Sequence, residues 1–101
     1  MKRELRSLLI RAKAVEDYMA ELEHKYGITI CTTANLHREI HVGGGIQKLI
    51  RFATTEPEIV ERVNSSAYPW MIKFDIGEHH LFQLEGSEQR CKDLIKEGKG
   101  E

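Results

Sequence analysis

Between Arg3 and Tyr26 the apolar residues Leu5, Leu8, Ala12, Val15, Met19, Leu22 and Tyr26 recur at alternating intervals of three and four. That spacing puts all seven on one stripe of an α-helix, and no other secondary structure satisfies it. Arg, Lys, Glu, Asp and Ala fill most of the remaining positions, and no Pro or Gly interrupts the run before Gly27. The stripe is also a heptad seam. Leu5, Ala12, Met19 and Tyr26 hold one seam position and Leu8, Val15 and Leu22 the other, the pattern of a two-helix contact. Three heptads are marginal for an isolated coiled coil, so covering its own sheet competes with self-association as the helix's role. Leu9 and Ile10 lie off the seam and widen the apolar surface near the N-terminal end beyond what one neighbour covers. The expectation is therefore a homodimer whose interface is Leu5, Leu8, Leu9, Ala12, Val15, Met19 and Leu22. In a parallel pair Arg11 meets the partner's Glu16, a surface contact of favourable sign.

After Gly27, a residue suited to the left-handed conformation past a helix end, the period changes to two. Ile28, Ile30 and Thr32 alternate with Thr29, Cys31 and Thr33, and Leu36, Arg38, Ile40 and Val42 alternate with His37, Glu39 and His41. A short loop around Asn35 sets Ile30 against Ile40 and Ile28 against Val42, one apolar face from one register. Gly43-Gly44-Gly45 ends this hairpin, and Ile46, Leu49, Ile50 and Ala53 resume a helical pattern. A strand, a glycine turn and a helix start can cradle an anion, but the Lys-Ser/Thr of a P-loop and the dinucleotide fingerprint are both missing. Tight chain reversal is the favoured role. Thr55 and Glu58 have capping-box spacing around Pro57, which predicts a short helix presenting Ile59, Val60 and Val63 to the core and ending at Asn64-Ser65-Ser66. Trp70, Ile72, Phe74 and Ile76 form the next strand. A loop centred on Glu78 opposes Phe74 to Phe82 and Ile72 to Leu84; a two-residue turn over Gly77-Glu78, the lesser option, opposes Phe74 to Leu81. Ser87 caps a last helix carrying Cys91, Leu94 and Ile95.

The predicted fold is α+β in the order α-β-β-α-α-β-β-α: a long N-terminal helix and two β-hairpins in an antiparallel sheet with helices on one face. The predicted core face of that sheet is Ile28, Ile30, Ile40, Val42, Ile72, Phe74, Phe82 and Leu84. A chain of 101 residues, 41% apolar and 31% charged, suits one domain. Its expected parts are the helix at 1–26, a body at 27–97 and a frayed tail at 98–101. One pair of distant cysteines, the absence of an 18-residue apolar run and the interruption of any signal-peptide apolar region by Arg6, Arg11 and Lys13 point to a cytoplasmic protein with free thiols and no membrane partner.

No constellation names a reaction. His37, Glu39 and His41 are acceptable metal ligands by type, yet residues four apart on a strand are separated by about 13 Å. His79-His80 sits at a hairpin tip, its two rings directed to opposite faces. Neither Cys31 nor Cys91 has a local feature that activates a thiol. The expectation is no catalytic residue, no metal and no cofactor. Charge gives the alternative reading. The net charge of −1 opposes unspecific phosphate attraction, but Lys2, Arg3, Arg6, Arg11 and Lys13 crowd the first helical turns, where a dimer would form a basic patch for nucleic acid, diluted by Glu4, Glu16 and Asp17.

Leu36 to Val42 followed by Gly45-Ile46-Gln47-Lys48-Leu49, then Tyr68-Pro69-Trp70 and the hairpin ending Phe82-Gln83-Leu84, resembles small proteins encoded by phages and prophages. The likeness covers about half the chain. It implies an accessory protein that acts by contact with a host or phage partner, and it brings no activity with it; the long heptad-like N-terminal helix is where this chain departs from it.

Overall fold

The computed structural model describes residues 2–63 and 67–100, without the side chains of Lys2, Arg11, Ala12 and Val15. The chain is α+β. Helix α1 (Lys2–Tyr26) leads into strands β1 (Thr29–Ala34) and β2 (Glu39–Gly44), a 3₁₀ segment (Ile46–Phe52), strands β3 (Glu58–Glu61), β4 (Trp70–Ile76) and β5 (His79–Glu85), and helix α2 (Glu88–Gly98). The five strands form one mixed sheet in the order β1-β2-β5-β4-β3. β1 with β2 and β3 with β4 with β5 are antiparallel units, and β2 runs parallel to β5 where the units join.

Three expectations are corrected here. The segment predicted as a helix after Pro57 is the edge strand β3, so the described residues form five strands and hold no α-helix between β2 and β4. The capping-box residues are used differently: the Thr55 hydroxyl accepts from the Asp75 backbone N–H at 2.8 Å, and Glu58 pairs with Lys73 across the β3–β4 ladder at 3.5 Å. With strand geometry, Ile59 packs on the core while Val63 is exposed. The predicted stop at Asn64, Ser65 and Ser66 lies outside the described residues.

The registers are the second correction. β4 and β5 turn over Gly77-Glu78, with Gly77 at φ 58°, and Phe74 opposes Leu81 while Ile72 opposes Gln83. The lesser option of the two is the one adopted. Leu81 and Gln83 therefore point into the core, and Phe82 and Leu84 lie half-buried on the opposite face. In the first hairpin Asn35, Leu36 and His37 all take left-handed φ angles of 54–64°. Together with irregularities between Thr29 and Thr32, this turn shifts the pairing to Ile30 with Val42 and Thr33 with Ile40.

The core lies on one face of the sheet. Ile40, Val42, Ile72, Phe74 and Leu81 from the strands meet Ile28, then Ile46, Leu49 and Ile50 of the 3₁₀ segment and Cys91 and Leu94 of α2. Ser87 caps α2 by accepting from the Arg90 N–H at 3.1 Å. Gly45, at φ 89°, starts the 3₁₀ segment where a Cβ would stand 3.0 Å from the Gly27 carbonyl oxygen, so glycine is required there by both conformation and space. The expected frayed tail is partly structural: Gly98 ends α2 packed against Ile50 and the Gln47 carbonyl, and Lys99 reaches Glu56.

The third correction concerns the sheet, which is mixed where an antiparallel one was expected, because the two antiparallel units join through parallel β2 and β5; of the two roles weighed for α1, covering this sheet is not the one it takes. Among the described side chains of α1, Leu22 and Tyr26 in its last turns are the ones packed on the core, and the molecule measures 52 × 31 × 21 Å because the helix extends away from it. The sheet is covered by the 3₁₀ segment and α2 instead.

Candidate interaction surface

A 25-residue helix of good formers with Glu4 in its first turn and His24 and Lys25 in its last satisfies the helix dipole at both ends. Gly27, at φ 67°, closes it, with its own N–H and that of Ile28 donating to the Glu23 carbonyl at 2.9 and 3.1 Å. The Glu23 carboxylate accepts from the Ile30 N–H at 3.1 Å and so fastens the helix end to β1. Beyond this anchor Leu5, Leu8, Leu9 and Ile10 are between 54% and 66% exposed, and Tyr18 is exposed as well. Met19 and Leu22 are half-buried. The side chains of Ala12 and Val15, two of the expected interface residues, lie outside the described set.

Where α1 meets the body a groove of about 340 Å³ opens. Met19, Leu22 and Tyr26 form its helix wall, and Ile28, Leu49, Phe52, Ile76 and the rings of His37 and His79 are among the residues opposite. Its lining is almost wholly apolar. Tyr26 also stands edge-on to Phe52, ring centroids 5.6 Å apart, which holds the helix at a fixed distance from the 3₁₀ segment. The seam thus runs from an exposed N-terminal half straight into an open apolar groove.

The residues weighed as metal ligands are separated. His37 belongs to the turn, not to a strand, with its Nδ1 2.6 Å from the Thr33 hydroxyl; His41 stacks on Phe82 on the other side of the sheet. His79 contacts the His37 carbonyl at 3.0 Å on the groove side, and His80 pairs with Asp75 at 2.7 Å on the other. Among the described residues no three His, Cys, Asp or Glu side chains gather as a metal site. At the glycine turn the Ile46 N–H is occupied by the Gln83 side-chain oxygen at 3.0 Å, which removes one of the amides an anion would need.

Both cysteines are free, Cys31 exposed and Cys91 buried. Burial, then the carboxylates of Glu85 and Glu88, raise the Cys91 thiol above its ordinary value, the opposite of activation. Of the basic residues at the start of α1, Arg3 and Arg6 are exposed and Lys13 lies 3.5 Å from Asp17 one turn on; the side chains of Lys2 and Arg11 are not described. Gln83, which joins the sheet to the 3₁₀ segment, is the buried polar residue that the apolar pattern did not single out. No helix among the described residues is long and apolar enough to cross a membrane. No family model, curated protein or solved structure matches the chain.

Proposed function

We propose that this chain is a small non-catalytic interaction module that associates with itself through α1. One observation carries the reading: the N-terminal part of α1 stands clear of the body, with Leu5 and Leu8 of the heptad stripe and the neighbouring Leu9 and Ile10 each more than half exposed on a helix whose far end is fixed. A monomer gains nothing from four adjacent uncovered large apolar side chains. Covering the remaining surface of each contributes roughly 1 kcal/mol. Leu5, Leu8 and Leu9, the three that belong to the expected interface, make six such side chains across a two-fold contact and yield about 6 kcal/mol, inside the roughly 4–15 kcal/mol that association costs. The exposed stripe alone supports only weak pairing, so a stable dimer must recruit the groove as well. The phage-accessory role implied by the resemblance fits a protein that acts by contact.

Light scattering of wild type and Leu9→Glu tests this. The substitution changes a side chain outside the folded body, so circular dichroism stays nearly unchanged while the molar mass falls toward that of one chain. A wild type that is already monomeric at high micromolar concentration refutes the reading.

A further inference from the structure

We infer that the occupant of the α1 groove is the N-terminal half of α1 from a second copy, so that the two helices run antiparallel. This rests on the self-association proposed above and adds the direction. The seam reads the same in reverse: when the second helix is inverted, Leu5 meets Leu22, Leu8 meets Met19, and positions 12 and 15 meet at the two-fold axis. Antiparallel coiled coils form their layers in this way, one seam position against the other.

Charge chooses between the two directions. Residues 2–13 carry Lys2, Arg3, Arg6, Arg11 and Lys13 against Glu4 alone, whereas residues 16–23 carry Glu16, Asp17, Glu21 and Glu23 and no basic residue. A parallel pair stacks basic half on basic half and acidic on acidic, with Arg11 and Glu16 as its one favourable contact. Inversion lays each basic half along an acidic half. The one acid in the basic half follows the same rule, since Glu4 falls opposite Lys25 at the flanking position. Lys25 is exposed beside its own Tyr26 ring, on a cleft it shares with Lys48 and Arg51.

Apolar geometry agrees. In the inverted pair the second copy's Leu5 and Leu8 arrive at Leu22 and Met19, the half-buried residues that form the helix wall of the groove, and Leu9 extends the cover beside them. The exposed half of each seam is thereby matched to the open groove of the other copy. The contact is isologous and closes at two subunits.

The test uses the full chain with Cys31→Ser, Cys91 being fully buried. Leu5→Cys protein mixed with Leu22→Cys protein should cross-link under mild oxidation, while Leu5→Cys alone should not, because its two copies lie about 25 Å apart along the axis. Glu4→Lys or Lys25→Glu, both on exposed positions, should raise the dimer dissociation constant by about fivefold or more, and the double reversal should restore it to within about twofold. Cross-linking of Leu5→Cys with itself, or a double reversal no better than the singles, overturns the antiparallel arrangement while leaving self-association intact. A monomeric wild type overturns both.

Discussion

Replacing Gln83 with alanine should be among the most damaging substitutions in the sheet, although a polar residue between Phe82 and Leu84 looks dispensable. Its side chain is 5% exposed and performs two tasks. The Oε1 atom accepts from the Ile46 N–H at 3.0 Å, and the Nε2 group donates to the Glu85 carboxylate at 2.7 Å. Ile46 is wholly buried and follows Gly45 at φ 89°, so its N–H has no water to turn to. Leaving that donor unpaired costs about 1–3 kcal/mol. Loss of the one methylene beyond Cβ adds about 0.8 kcal/mol. The total, about 2–4 kcal/mol, should lower the melting temperature by at least about 8 °C in a domain of this length. Leu84→Ala, on the half-exposed opposite face, should cost only about 1 kcal/mol because less apolar surface leaves the interior.

Urea titration of both variants decides the matter, with equal slopes and shifted midpoints as the expected form. Gln83→Met, which keeps the length but not the acceptor, isolates the hydrogen-bond share. If Leu84→Ala proves costlier than Gln83→Ala, Leu84 faces the core, the turn is wider than Gly77-Glu78, and the register described above is wrong.

Gly98→Ala should destabilise by about 1–3 kcal/mol, since its Cβ would stand 2.7 Å from the Gln47 carbonyl oxygen and 2.6 Å from Ile50 Cδ1, contacts that push α2 off the 3₁₀ segment; helix propensity alone favours alanine, so a gain in urea midpoint refutes this packing. Alkylation of the native protein should modify Cys31 and spare Cys91 until the chain unfolds, as mass spectrometry would show. Because the Cys91 thiol is raised in the folded state, the stability it contributes is intact below the unfolded thiol's pKa and declines as the pH climbs above it, a fall that Cys91→Ala should remove.

Local signals in the chain were readable and long-range ones were not. The 3-4 spacing from Leu5 to Tyr26, the Ser87 cap with Cys91 and Leu94 behind it, and the buried Ile46, Leu49 and Ile50 all follow from periods within one element. The stretch after Pro57 carried two signals at once: Thr55 and Glu58 have helix-start spacing, while Ile59 and Val60 are β-branched. Pairing with β4 decided between them, Ile59 opposite Ile72 and Val60 opposite Met71, and that partner lies too far along the chain for a local pattern to register. The parallel junction of β2 with β5 is likewise invisible to any argument built on hairpins. Register failed for a different reason. Moving the β5 pairing by one residue exchanges Phe82 and Leu84 for Leu81 and Gln83, and the aromatic pair offered by Phe74 and Phe82 is outweighed by a tight turn at Gly77 and by the acceptor that the buried Ile46 N–H requires.

α1 shows the limit of periodicity as evidence about a site. A heptad stripe states that a helix face will be covered, and it is silent on what covers it. Coverage by the chain's own sheet would have buried Leu5 and Leu8 as fully as Ile72 or Val42; they are more than half exposed, while Leu22 and Tyr26 of the same stripe pack on the core. The 3₁₀ segment and α2 already occupy the inner face of the sheet, which leaves α1 only its anchoring turns and the groove beside them. Anchoring one end of a stripe and exposing the other separates two uses that the sequence ran together. The residues from Met19 to Tyr26 join the helix to the domain, and Leu5, Leu8, Leu9 and Ile10 stay exposed. A truncated helix beginning near Tyr18 should suffice for the fold, which leaves the preceding turns free to serve the self-association proposed above.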